Sequence, residues 1–103
     1  MPLDPLPIIP GIVTVVPPNF SDVAASVTPV TLLAANALRK TACIYNDSNV
    51  SLFVKFGTGV TTSNFTVRLD GHDYYEFPIP IYIDTITGVW SASTGSAKIT
   101  EFV

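Results

Sequence analysis

The side chains able to do chemistry are few and scattered. His72 is the single histidine, set in DGHDYY between Asp70 and Asp73. An imidazole flanked by carboxylates suits a general base, or part of a metal site. A zinc-type centre needs three or four convergent ligands, and this stretch offers three candidates on one turn. The same spacing is that of a polar residue just after a β-turn at Asp70-Gly71, and that reading is adopted. Cys43 is the single cysteine, so no intrachain disulfide can form. A thiol nucleophile needs a base and a group that orients the base. No third member is suggested here, and Cys43, between Ala42 and Ile44, reads as a small core residue. The chain has no G-x-S-x-G, no phosphate-binding glycine loop and no paired-carboxylate signature. Asp70, Asp73, Glu76 and Asp84 are spaced as solvated turn and strand residues. The expectation is a protein that is not an enzyme, with no catalytic residue, no metal and no cofactor.

Aromatic residues are the other candidates. Tyr74, Tyr75, Phe77, Tyr82 and Trp90 cluster in the C-terminal half. Tyr74, Tyr75 and Tyr82 are taken as partner-binding candidates. With Trp90 they could form the platform of a carbohydrate-binding β-sandwich. The preferred reading is that alternate aromatics fill a core and the rest cover a contact between subunits.

These residues must be positioned by β-structure. A chain of 103 residues makes one domain, and 13% charged residues is low for a lone monomer surface. The net charge of −3 does not suggest nucleic-acid binding, and no apolar run is long enough to predict a membrane helix. Turn signals recur at 46–49, 57–59, 70–71, 87–88 and 94–95. Between them lie VTLLAA (30–35), TACIY (41–45), SLFVKFG (51–57), NFTVRLD (64–70), DYYEF (73–77), IYIDTI (81–86) and AKITEFV (97–103). In 64–70, Phe65, Val67 and Leu69 alternate with polar residues, as in a half-buried antiparallel strand. LLAANALRK (32–40) is the one candidate for a short helix, and FPIP (77–80) should mark a bend or an edge. The predicted fold is all-β: an antiparallel β-sandwich of seven or eight short strands. Its predicted core contains Ile44, Leu52, Val54, Phe65, Val67, Leu69 and Trp90.

The first eighteen residues differ from the rest. They hold six of the nine prolines and a single charge, Asp4. Proline fixes φ and removes a donor, so this segment can be neither a helix nor a central strand. In polyproline II it would reach about 55 Å. Disordered tails are normally polar and charged. This segment instead carries Leu3, Leu6, Ile8, Ile9, Ile12, Val13, Val15 and Val16. It lacks a basic region and is broken by prolines, so it does not read as a signal peptide. The division expected is an extended arm over 1–22 and a sandwich domain over 23–103, with the arm's aliphatic residues docking on a partner as a strap.

Residues 28–103 resemble a family of small β-domains in structural proteins of tailed-bacteriophage and prophage virions. The resemblance lies in LLAANALRKTACIYNDSNVSLFVKFG, SNFTVRLDGHDYYEFP and ITGVWSASTGSAKITE, with the order of elements kept. It implies a capsid decoration (cement) protein on the virion surface that binds the major capsid protein and clamps neighbouring capsomers. It also implies a closed homo-oligomer, with a trimer favoured over a dimer. A tail or fibre module of the same virion is the alternative within that family.

Overall fold

The computed structural model describes residues 16–103. The arm residues Leu3, Leu6, Ile8, Ile9, Ile12, Val13 and Val15 lie outside the described residues; Val16 is described and exposed. Eight strands follow: β1 Asn19–Ala24, β2 Val30–Leu33, β3 Thr41–Asp47, β4 Leu52–Phe56, β5 Val67–Leu69, β6 Tyr74–Glu76, β7 Ile86–Trp90 and β8 Ser96–Phe102. They form two four-stranded antiparallel sheets, ordered β1-β8-β3-β6 (sheet A) and β2-β7-β4-β5 (sheet B). Only the β4–β5 connection stays within one sheet. The fold is all-β, compatible with the expected sandwich, and no helix occurs among the described residues. None therefore offers a helix that is long and apolar enough to cross a membrane.

Alternation in the central strands sets which side chains form the core. On β3 Ala42, Ile44 and Asn46 are buried, and on β8 Ala97, Ile99 and Glu101. Ile44 faces Ile99 across the ladder. Leu52 and Val54 of β4 and Ile86 and Trp90 of β7 are buried with them in one apolar cluster, capped by Leu32, Leu33, Leu69 and Phe77. Each such large side chain contributes about 1.5–3 kcal/mol on full burial.

Arg39 lies just before β3 with a fully buried side chain. Its Nε donates to Glu101 Oε2 at 2.7 Å, Nη1 to the carbonyls of Tyr82 and Asp84, and Nη2 to that of Ala34. A planar guanidinium can bond several backbone segments at once. Here it ties the β2–β3 and β6–β7 connections to β8.

Several expectations are corrected. Phe65 is exposed rather than in the core. The chain bends at Thr66, whose Oγ1 accepts from the Phe56 amide, so alternation is lost there and Phe65 packs edge-on against the outward Phe53 instead. β5 accordingly covers only Val67–Leu69. The segment 81–86 is not a strand until Ile86, and Thr87-Gly88 is no turn but the middle of β7, which is buried throughout. Residues 32–40 form the end of β2 and a turn, not a helix. Residues 19–22, expected in the arm, are the first part of β1, which pairs from Asn19↔Glu101 to Ala24↔Ser96. Cys43 is half-buried on the outward side of β3, between Glu76 and Thr100, because the inward positions belong to Ala42, Ile44 and Asn46.

Gly88 explains why a turn-type dipeptide sits in a central strand. A Cβ there would fall 2.7 Å from Leu32 Cδ1 and 3.1 Å from Leu52 Cδ1. The inward side chains of β2 and β4, which flank β7 in sheet B, close over this position only if it is bare. Gly88→Ala should therefore lower the unfolding free energy by about 1–2 kcal/mol, the overpacking cost exceeding the gain from replacing a strand glycine. Urea denaturation should show a lower midpoint with an unchanged slope, and Gly88→Val should fall further. A Gly88→Ala protein as stable as the parent would show that the contact is relaxed.

Candidate functional site

The largest polar assembly is built around Asn46, the last inward residue of β3 and wholly buried. Its Nδ2 donates to the carbonyls of Val50 at 2.7 Å, Asp70 at 3.0 Å and Leu69 at 3.1 Å. Its Oδ1 accepts from Ser48 Oγ at 2.7 Å and from the Trp90 indole at 3.3 Å. Its main chain adds two more bonds, accepting from His72 N and donating to Asp73 O, each at 2.9 Å. The β3–β4 and β5–β6 loops and the end of β7 thus meet on one amide.

Glycines let the loops close on it. A Cβ at Gly71 would lie 2.9 Å from the Ser48 carbonyl. One at Gly95, which has φ +89°, would lie 2.5 Å from the Asp47 carbonyl and from Ser48 Cβ. An L-side chain at Gly95 meets both backbone strain and backbone atoms.

Above this hub opens a cleft of about 230 Å³ lined by Asp47, Ser48, Asn49, His72, Thr94 and Gly95. His72 sits at its wall with φ 65°, left-handed for a non-glycine residue. Its Nε2 lies 3.0 Å from Asn49 Oδ1 and its Nδ1 3.1 Å from the Tyr45 hydroxyl. The Asn49 oxygen only accepts, so the neutral ring carries its proton on Nε2 and accepts from Tyr45 at Nδ1. Both nitrogens are engaged, and neither bonds Asp70 or Asp73. Those carboxylates turn elsewhere: Asp73 Oδ2 accepts from the Asp70 amide, and Asp70 pairs with Arg68. His72 is thus a turn residue that ties Tyr45 to Asn49. Among the described residues no group of three His, Cys, Asp or Glu side chains is placed to hold a metal ion.

The structure separates the aromatic candidates. Tyr74 is exposed on the outward face of sheet A. Tyr75 is half-buried on the inward side, packed against Phe77 with ring centroids 5.6 Å apart. Tyr82 stacks on Phe56 at 5.4 Å. Trp90 is only 1% exposed and cannot belong to a sugar platform. The four-aromatic platform is therefore not assembled. The outward face of sheet A instead carries Phe20, Tyr74 and Phe102, all exposed, around Cys43, Tyr45 and Thr100. The signal that could have found it is the alternation of β8, where Lys98, Thr100 and Phe102 are the outward set.

The lysine on this face is paired. Lys98 Nζ lies 2.7 Å from Asp22 Oδ2 and 3.9 Å from Asp47 Oδ2. Bonding to Lys98, then to Ser96, holds the Asp22 carboxyl below its ordinary value, and the same bond raises Lys98. Tyr74 is raised, first by the neighbouring Cys43 thiol, then by desolvation and by Glu76, whose carboxylate accepts its hydroxyl at 3.1 Å.

No family model, curated protein or solved structure matches this chain.

Two outcomes test this assignment. Asn46→Ala removes a buried donor from the Leu69 carbonyl and the acceptor of the Trp90 indole N–H. The Val50 carbonyl and the Ser48 hydroxyl keep each other, and the Asp70 carbonyl keeps the Asp73 amide. The change should cost about 3 kcal/mol in urea denaturation. His72→Gly, which relieves the left-handed backbone and loses only exposed bonds, should stay within about 1 kcal/mol of the parent. A tolerated Asn46→Ala would remove the hub from the account.

The pH dependence follows from the Asp22–Lys98 pair. Asp22 is lowered, so its stabilisation is present above the ordinary carboxyl range and is lost as pH falls through its folded value. Lys98 is raised, so its share is present below the ordinary lysine value and is lost as pH rises beyond it. Both groups are exposed, so the effect is small. The pair itself should contribute no change in the denaturation midpoint between pH 6 and 9. The acid-side fall should be shallower in Asp22→Asn, and an unchanged acid limb would exclude the pair as its source.

Proposed function

We propose that this protein is a virion structural protein of the tailed-phage type, a decoration protein that clamps neighbouring copies of the major capsid protein. One observation carries the reading: the arm enters the sandwich at a sheet edge, where β1 borders one face, and not at a loop tip. Phe20, two residues past Pro18, is 77% exposed on that face. An apolar arm running into an exposed apolar sheet face makes one extended docking surface, as a strap requires. The cluster at the Asn46 end supports the same reading, because its polar groups are spent on each other. The motifs of the resemblance are structural in kind: Ile44 to Ser48 ends a buried strand in the Asn46 turn, and Trp90 anchors the β7–β8 loop. Binding would bridge subunits by buried area, without a reaction, on the outer surface of the capsid.

The test separates arm from domain. Residues 1–15 should be removed, since a cut at residue 20 would take Asn19 and Phe20 out of β1. The truncated protein should keep its β-type circular dichroism and its unfolding midpoint. Mixed with undecorated capsids, it should bind far fewer copies than the full chain and leave their melting temperature unraised. The full chain should bind in numbers comparable to the capsid protein; a copy number of a few per particle would point to a tail position. Truncated protein that binds and stabilises like the full chain would refute the strap.

A further inference from the structure

The hub around Asn46 is closed on itself, but the cleft above it is not. Its walls come from three places in the chain: the end of β3 and the turn after it, the β5–β6 turn at His72, and the β7–β8 turn at Thr94-Gly95. These walls are fixed without a ligand. The Asn46 amide ties the first two together. Gly95 lies so close over Asp47 and Ser48 that a Cβ would strike both. The His72 ring is held between Tyr45 and Asn49. A site that is already ordered loses little entropy when it is filled.

The polar groups of the walls divide into engaged and unengaged. Ser48 Oγ donates inside the hub and accepts from the Val50 amide, and both His72 nitrogens are taken. Three groups remain without a hydrogen bond among the described residues. Asn49 uses only its oxygen, on His72, and leaves its Nδ2 N–H groups. Thr94 Oγ1 is exposed and unbonded. The Asp47 carboxylate accepts no hydrogen bond: Lys98 Nζ stands 3.9 Å from it and is bonded at 2.7 Å to Asp22 instead.

This set selects a ligand chemistry. A carboxylate accepts, an amide N–H donates and a hydroxyl does both, so together they match neighbouring hydroxyl groups on one molecule. No lysine or arginine lines the cleft, so an anion finds no countercharge. No large apolar side chain lines it, so a lipid finds no wall. A metal ion would need a third ligand beside Asp47 and His72, and the described residues bring none. The volume of about 230 Å³ is below the roughly 300–1,000 Å³ of sites for drug-sized molecules, which suits a single ring.

We propose that this cleft binds one uncharged sugar residue, whose adjacent hydroxyls donate to the Asp47 carboxylate and accept from Asn49 Nδ2, with Thr94 Oγ1 as the third contact. The site lies at the loop end of the sandwich, apart from Tyr74 and Phe102 on the outward face of sheet A, and needs no capsid.

The experiment is a nuclear magnetic resonance titration of the ¹⁵N-labelled full chain. The probes are the methyl glycosides of glucose, galactose, mannose and N-acetylglucosamine, each to about 50 mM. At least one should shift the amide signals of Asp47, Asn49, His72 and Gly95 and saturate, with a Kd of about 1–10 mM. Sodium phosphate and calcium chloride should not saturate. Asp47→Asn, which keeps the volume, should weaken binding about tenfold by removing a charge-assisted hydrogen bond. Thr94→Val, a change at an exposed position, should weaken it about threefold and supplies the test should Asp47→Asn alter the fold. Tyr74→Ala should bind like the parent. Four glycosides without saturable shifts would overturn the proposal, as would shifts centred on Tyr74 and Phe102. Saturation by phosphate or calcium, or folded Asp47→Asn and Thr94→Val proteins that bind like the parent, would overturn it as well.

Discussion

The whole arrangement of connections at one end of the sandwich depends on the Asn46 side chain. Apolar packing has no direction: Ile44, Leu52 and Trp90 would be buried in many relative orientations. An amide in the same place is directional. Its two N–H groups are shared among three carbonyls from two loops, and its oxygen takes a hydroxyl and an indole N–H. The Leu69 carbonyl and the Trp90 indole bonds are buried, and a buried group left unpaired costs about 1–3 kcal/mol. A slip of β3 by one residue would turn Asn46 outward and bring Asp47 in, so the amide also fixes the register of the strand that joins β8 to β6.

The other end of β3 is held by the opposite chemistry. Arg39 and Glu101 form a buried ion pair, and such pairs gain little over apolar residues of equal volume because both charges are desolvated. Its structural effect lies in what else the guanidinium reaches. The β6–β7 connection runs through Pro78 and Pro80 and forms no strand before Ile86. Two of its carbonyls, on Tyr82 and Asp84, are held by Arg39, and the Ile83 carbonyl by the Asn36 amide. One strand thus carries a neutral clamp at one end and a charged clamp at the other, with the apolar core between them.

How much of this can be read from the sequence follows from how local each feature is. β3, β4 and β8 are legible because every second residue is buried, and period-2 alternation is a local signal. β7 is not. It is covered on both faces, so alternation vanishes, and Gly88 reads as a turn although its role is a close approach to Leu32 and Leu52 from two other strands. β1 is hidden for the converse reason: an edge strand with Asn19, Ser21 and Asp22 shows no apolar face. IYIDTI has strand composition, but the bend at Pro78–Pro80 takes it out of the ladder. For the site, N-D-S-N is visibly a turn. The Val50 carbonyl is local to that turn, but the Leu69 and Asp70 carbonyls that complete the set lie more than twenty residues away. The separation of Tyr74 from Tyr75 needs only alternation and could have been read; that of Tyr82 and Trp90 needs the fold.

The outward faces of the two sheets are not equivalent. On sheet B, Thr87 and Val89 of β7 are buried although they lie on the side away from the core. The β4–β5 connection lies over that side: Thr87 donates to the Gly57 carbonyl, Val60 is buried outside the main cluster, and Phe65 rests on Phe53. Sheet B therefore brings its own cover. Among the described residues sheet A has no such cover, and its outward side combines exposed Phe20, Tyr74 and Phe102 with a lysine, Lys98, already paired to Asp22 and Asp47. Paired charges are cheaper to desolvate than isolated ones, and aromatic side chains bury large areas with few rotamers to lose. The uncovered face is also the one that β1 borders. Phe20 of β1, next to Thr100 of β8 in the ladder, therefore continues the apolar surface that Phe102 and Tyr74 begin, so the outward aromatic side chains span sheet A from its β1 edge to its β6 edge.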